Sequence, residues 1–189
     1  MSNELKEIQE QLHLHAQKSN KDFLYKMVPG EHRSYGVKTP VLNELAKQYR
    51  KASFELAREL WISGALEERI IAIKIMEKEG KNNPAMLFNL FTQFSKGIDN
   101  WAVCDGLGMQ FLRSVVKTHQ EEIFGLAEKL NKSGNFWERR LSLVMVEWYT
   151  RISELHPRID QLVKNLEQDK EYYVKKAVVW IRKNFAKGK

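Results

Sequence analysis

Apolar residues recur along this chain at spacings of three and four, the period of helices that bury one face. Strand-like alternation is absent over any useful length. The pattern predicts a helix over about 3–17, and a second capped at Asn20 that ends before Pro29-Gly30. After the loop GEHRSYGVK, Thr39 caps a helix with Pro40 at its first position, running to about Lys51. Ser53 caps a short helix that Gly64 breaks, and Leu66–Glu79 follows with Gly80 as its stop. Asn83-Pro84 repeats the cap-plus-proline start, for a helix reaching about Lys96. Asp99 or Asn100 opens a helix to about His119, and Gln120–Leu130 is the next, broken by SGN at 133–135. A long apolar helix is expected from Phe136 to about Leu155, then one from Pro157 to about Gln168 and a last one from Glu171 to about Ala186.

Ten or eleven such helices, joined by loops of 2–6 residues, force neighbours antiparallel. No single pair can bury its own apolar stripe. Pairs in series, with a period of about 35–40 residues, therefore predict an all-α, HEAT-like solenoid, an α/α superhelix of antiparallel helix pairs. A compact helical bundle is the alternative. One domain over 1–189 is the expectation at this length.

Composition narrows the classes. With 43% apolar residues a core can form, and 4 Pro and 10 Gly argue against low-complexity character. One cysteine excludes a disulfide framework and any multi-cysteine metal cluster, and points to a reduced, cytoplasmic setting. No apolar run is long enough to span a bilayer, and the polar, acidic start is unlike a secretory signal. Mean hydropathy of −0.51 agrees with a soluble protein. Charge changes the picture more. There are 31 Lys and Arg against 24 Asp and Glu, a net charge of +7. Between Lys170 and Lys189 seven basic residues face one acid. That concentration suggests a polyanion, and a solenoid with a basic concave face suits a duplex.

Three segments carry candidate chemistry. In IDNWAVCDGLGMQFL (98–112), Cys104, Leu107 and Phe111 form the apolar stripe of a helix, with Trp101, Asp105 and Gly108 at its edge. A half-buried carboxylate beside an indole must be paired or used. In GNFWERRLSLVMVEWY (134–149), Trp137, Val144 and Trp148 share a face, with Arg140 on its flank and Arg139 turned elsewhere. Arg140 either binds phosphate through its planar fork or pairs an internal acid, Asp105 being one candidate. In EYYVKKAVVWIRKNF (171–185), Lys176, Trp180 and Lys183 make one stripe. An aromatic between cations is either a nucleic-acid surface or an indole covered by lysine stems.

The landmarks YGVKTPVLNELAK (35–47), LWISGALEERIIAIKIM (60–76), NWAVCD (100–105), NFWERR (135–140) and YYVKKAVVW (172–180) occur in this order. Together they resemble the DNA alkylation repair family of HEAT-like glycosylases, the AlkD-like proteins. The resemblance covers about Gly36 to Phe185. It implies excision of cationic N3- and N7-alkylated purines from duplex DNA, in base excision repair. It assigns the catalytic carboxylate to Asp105 and its tryptophan to Trp101. The second sugar-facing tryptophan falls on Trp180, and the helix-borne arginine on Arg140. It also implies that the lesion need not be flipped into a pocket, unlike most glycosylases. On this reading Arg140, Lys176 and Lys183 hold phosphates, with Arg139, Lys175 and Arg182 as further candidates.

The remaining features read as structural. His13 and His15 face different sides of a helix, and His32, His119 and His156 sit near helix ends with no metal-ligand spacing. Cys104 has no base partner. Met76, Met86, Met109 and Met145 read as core filler. The expectation is therefore a monomeric DNA glycosylase with no metal, no cofactor and no membrane contact. The rival readings are a non-catalytic module for branched or unusual DNA, and a protein-binding solenoid for an acidic partner.

Overall fold

The computed structural model describes residues 2–30, 32–51 and 53–187, and of Lys187 the backbone alone. Eleven α-helices and no strand occur among the described residues. They are α1 Asn3–Leu14, α2 Lys18–Met27, α3 Thr39–Gln48, α4 Phe54–Ser63, α5 Leu66–Glu79, α6 Pro84–Ser95, α7 Trp101–Gly106, α8 Gln120–Asn131, α9 Phe136–Val144, α10 His156–Asn165 and α11 Tyr172–Lys187. A single bridge, Arg33 to Ala65, is the only sheet-like pairing among them.

Side-chain oxygens of Ser53, Asn83, Asn100 and Asn135 accept the first free backbone N–H groups of α4, α6, α7 and α9. Gly64 ends α4 at φ 86°, a left-handed conformation open to glycine at little cost. Gly80 behaves differently. Its φ of −55° continues as a short 3-10 turn, and its value lies in its size, since a Cβ there would sit 2.7 Å from Leu87. Asn20 is not a cap. It lies inside α2 and donates to the Gly36 carbonyl at 3.0 Å.

The helices form two layers. Helices α1, α4, α6, α8 and α10 make the first, and α3, α5, α7, α9 and α11 the second. The second-layer helices run parallel. At one end Arg69 reaches Asp99 and Arg140 reaches the Tyr173 carbonyl. At the other end Glu77 holds Arg113, Trp148 donates to the Met109 carbonyl, and Asn184 donates to Glu147. A continuous apolar core lies between the layers, from Leu5, Ile8 and Leu12 through Phe91, Phe94 and Phe111 to Val174 and Ile181. This is the expected α-solenoid.

Two helices are shorter than the periodicity predicts. The segment after Asn100 is α-helical only to Gly106, widens into a π turn over Leu107–Phe111, and loosens into turns before His119. The long helix expected from Phe136 ends at Val144, and 3-10 turns follow at Glu147–Tyr149 and Ser153–Leu155. The two departures face each other. A Cβ on Gly108 would lie 2.6 Å from Val144 Cγ1 and 3.0 Å from the Met145 nitrogen. Two carbonyls on this loosened stretch are taken by aromatics from the other segment, Trp148 Nε1 to Met109 at 3.1 Å and the Tyr149 hydroxyl to Val116 at 2.7 Å. Cross-helix bonds thus replace local ones, which periodicity does not register.

The first-layer groove between α4 and α6 is lined by Met86, which is 44% exposed and not core filler; Met76 and Met145 are fully buried as expected. Cys104 is buried, and burial pushes its thiol well above the ordinary range. No helix among the described residues is long and apolar enough to cross a membrane.

Candidate functional site

Helix α7 is fixed at its start. The buried Asn100 caps it, and Asn100 also donates to Asp99, which in turn holds Arg69 of α5 at 2.9 Å. The indole N–H of Trp101 donates to the Met27 carbonyl at 2.9 Å, so the last turn of α2 is tied against the first turn of α7. One turn on, Asp105 faces α9. The Arg140 guanidinium closes on it with two parallel bonds, Nε to Oδ1 at 3.0 Å and Nη2 to Oδ2 at 2.9 Å. The third arm, Nη1, donates to the Tyr173 carbonyl at 2.7 Å. All three helices are thereby joined at one guanidinium, whose ring-side neighbour Tyr173 stacks on Trp137 with centroids 4.8 Å apart.

These side chains form the wall of an open cleft of about 530 Å³, lined by Lys26, Met27, Pro29, Trp101, Asp105, Arg140, Tyr172, Tyr173, Lys176 and Trp180. Arg140 is buried, with 10% of its side chain exposed, while Asp105 keeps 31%. A carboxylate offers about four lone-pair sites, and a two-pronged arginine occupies one on each oxygen. The outer edge of Asp105 is therefore free toward the cleft. Burial pushes its carboxyl above the ordinary aspartate range, and Arg140 pulls part of that shift back. For Arg140 burial acts downward, but Asp105 outweighs it and raises the guanidinium further. The two parallel N–H···O bonds are the geometry of an arginine–carboxylate ion pair. Among the described residues, the lining holds no second carboxyl group, no histidine and no cluster fit for a metal.

The candidate residues divide. Trp101, Asp105, Arg140, Lys176 and Trp180 converge on this cleft. Lys183 lies one turn beyond Trp180 on α11, exposed and outside the lining; Lys175 is also exposed outside it. Arg139 turns to the other side, binding Asp169 at 2.6 Å and the carbonyls of Ser133 and Gly134. Arg182 is paired with Glu167. The side chain of Lys187 and all of Lys189, counted in the basic tail, lie outside the described residues.

Sequence reasoning missed five lining residues. Lys26, Met27 and Pro29 enter from the end of α2 and the turn after it, more than 70 residues before Trp101, and spacing gives no sign of it. Tyr172 and Tyr173 stand beside the Lys176 stripe, and the consecutive tyrosines were a legible signal. Tyr172 is 64% exposed and its ring lies 5.2 Å from Lys176 Nζ.

The chain is thus a two-layered helical solenoid whose Asp105–Arg140 pair lines a cleft together with two indoles. The family model for DNA alkylation repair enzymes matches residues 8–189, and the chain belongs to that family. The fold is similar to a solved structure described as a predicted DNA alkylation repair enzyme from Enterococcus faecalis. The two share 17% identity at a TM-score of 0.79, over 92% of this chain and 84% of that one. No curated protein sequence matches significantly.

Proposed function

We propose that this repair enzyme is a DNA glycosylase that releases cationic N3- or N7-alkylated purines from duplex DNA, with Asp105 as the catalytic carboxylate. The observation that carries the reading is the two-pronged Arg140–Asp105 pair, held with its free edge toward a cleft that Trp101 and Trp180 also line.

Breaking a purine N-glycosidic bond develops positive charge on the sugar. A carboxylate about 4 Å away attracts that charge by about 4 kcal/mol at an effective dielectric of about 20. Arg140, on the far edge at about 7 Å, repels it by about 2.4 kcal/mol on the same scale. The net is about 2 kcal/mol, roughly thirtyfold in rate. Removing the carboxylate charge costs its whole attraction, about a thousandfold, because the repulsion stays. The indoles of Trp101 and Trp180 add cation attraction beside the sugar. The outer oxygen of Asp105 also accepts a proton from an attacking water.

An alkylated cationic purine leaves as a neutral base and needs no acid to protonate it. For that substrate class the carboxylate and the two indoles of this lining suffice. Lys176 and Lys26 supply charge for the backbone phosphates, and the chain acts as a monomer on the duplex.

The test is base release from a duplex containing N7-methylguanine, comparing wild type with Asp105→Asn. Release that collapses about a thousandfold in the variant supports the assignment. Release that survives the substitution keeps the enzyme and discards the carboxylate. No release by wild type, with tight binding to that duplex or to a branched junction, supports a non-catalytic DNA-binding role instead.

A further inference from the structure

A second cavity, of about 370 Å³, shares no lining residue with the cleft. Small-molecule sites occupy about 300–1,000 Å³. Three rings and two cations line this one: His13 from α1, Lys21 and Tyr25 from α2, and Arg33 and Tyr35 from the loop before α3. Ala16 and Ala65 also line it, and their single-carbon side chains leave the space open.

The walls are held from behind. The Tyr35 hydroxyl donates to Glu68 at 2.9 Å, and the His13 ring meets the Tyr35 ring edge-on with centroids 4.8 Å apart. The Leu66 N–H donates to the Arg33 carbonyl at 2.8 Å, and Asn20 ties α2 to the Gly36 carbonyl at 3.0 Å. Tyr25 is backed by the buried His32, with ring centroids 5.5 Å apart. Lys21 and Tyr25 are four apart and share a face of α2, with Lys21 Nζ 5.9 Å from the centre of the Tyr25 ring.

The fold does not use the two cations. Among the described residues neither Lys21 nor Arg33 has an ion-pair partner. Arg33 gives an N–H to the Ser63 carbonyl and keeps the rest of its donors. The nearby acids Glu67 and Glu68 do not line the cavity. Glu67 accepts from the Ser34 hydroxyl and the N–H groups of Tyr35, Gly36 and Val37. Glu68 accepts from Gln9, the hydroxyls of Tyr35 and Ser63, and the Ala65 N–H. Those donors use about all the lone-pair sites a carboxylate offers. Helix α2 also has no buried residue, and a helix of its length is marginal by itself. A ligand that touches Lys21, Tyr25 and the loop supplies the contact this helix lacks.

We infer that this cavity is a mononucleotide site. The base lies against the rings of Tyr25, Tyr35 and His13, and the phosphate is held by Lys21 and Arg33. Base–aromatic stacking is worth about 1–3 kcal/mol and tolerates every base. The planar fork of Arg33 suits a phosphate, and Lys21 adds a point charge. The site does not depend on the cleft being a DNA site. Its nucleotide is either free in solution or an unpaired end of a strand, since both present the same base and phosphate.

The test is an NMR titration of the whole chain with deoxyadenosine monophosphate, deoxyadenosine and inorganic phosphate. The monophosphate is expected to bind below about 1 mM, and deoxyadenosine and phosphate each about tenfold more weakly. Lys21→Ala/Arg33→Ala and Tyr25→Ala are each expected to lose about tenfold, with folding checked by circular dichroism and thermal melting. Lys21→Glu, which removes no hydrogen bond of the fold, is expected to lose as much. Lys176→Ala, in the cleft, binds the monophosphate like wild type. Loss in Lys176→Ala without loss in the Lys21 variants places the nucleotide in the cleft and overturns this site. Equal binding of deoxyadenosine and its monophosphate overturns the phosphate contacts and the site with them. A blunt duplex and the same duplex with one unpaired 5′-phosphorylated nucleotide separate the two sources. Tighter binding of the overhang, lost in Lys21→Glu, assigns the site to a strand end. Equal binding of the two duplexes, with the monophosphate bound as expected, assigns it to the free nucleotide. Binding of neither the monophosphate nor the overhang overturns the site and leaves the cleft reading untouched.

Discussion

Arg140 grips Asp105 by both carboxylate oxygens and reaches past it to the Tyr173 carbonyl, so one guanidinium sets where the carboxylate stands between α7 and α11. The consequence is that geometry, and not charge alone, matters at position 140. Arg140→Lys keeps the positive charge but cannot make the two parallel bonds and the carbonyl bond together. The expected outcome is a fall in base release of about tenfold to a hundredfold and a stability loss of about 2–3 kcal/mol, for a pair that is buried on one side only. Single-turnover release and urea denaturation measure the two effects. Unchanged release in this variant would remove Arg140 from the site.

The pH dependence follows from the raised Asp105 carboxyl. Its ionised form is the working one, so base release is expected to fall as pH drops through a value above the ordinary aspartate range. The folded chain holds this proton more tightly than the unfolded chain. Ionised Asp105 therefore costs stability, a cost that grows as pH rises from the unfolded to the folded value and is constant above it. A pH–rate profile, with the Asp105→Asn background subtracted, checks the position of the acid limb. An acid limb at or below the value of a free aspartate contradicts this account.

Two glycines should respond to alanine in opposite directions. Gly108→Ala drives a methyl into Val144 and the Met145 backbone, where the π turn after α7 meets the end of α9 behind the Asp105–Arg140 pair. It is expected to destabilise by about 1–3 kcal/mol and to lower base release as the two helices part. Gly125→Ala, on the exposed face of α8, meets nothing within 4 Å and is expected to stabilise by about 0.5–1 kcal/mol. Urea midpoints of both variants test the pair of signs.

Glu67 organises the loop that leads into α3. It is buried, and it accepts from the Ser34 hydroxyl and from the backbone N–H groups of Tyr35, Gly36 and Val37 at 2.8–3.1 Å. Glu67→Gln keeps one acceptor oxygen but turns an amide N–H toward a donor. The expected loss is about 1–3 kcal/mol. Faster amide hydrogen exchange at Tyr35, Gly36 and Val37 is the specific readout, and unchanged exchange there would contradict the role.

Local features of the fold were legible in the sequence. Ser53, Asn83 and Asn100 act as caps, and α5 spans Leu66–Glu79 as the periodicity predicts. Such features depend on residues three or four apart. Cys104, Leu107 and Phe111 are fully buried for the same reason. The site was partly legible. Helical spacing put Trp101 and Asp105 on one face, and it left Asp105 as one of the candidate partners for Arg140.

Only tertiary structure decided the rest. The Asp105–Arg140 pair spans 35 residues and the Trp101–Met27 bond 74, and each depends on how helices are set against one another. The same holds for Arg139, which the next helix connection claims through Asp169, and for the π turn, which exists because Gly108 lets α9 approach and Trp148 takes a carbonyl there. Periodicity states which side of a helix is buried. The position of one helix along its neighbour comes from the packing of both surfaces, and that position selects the side chains that meet in the cleft.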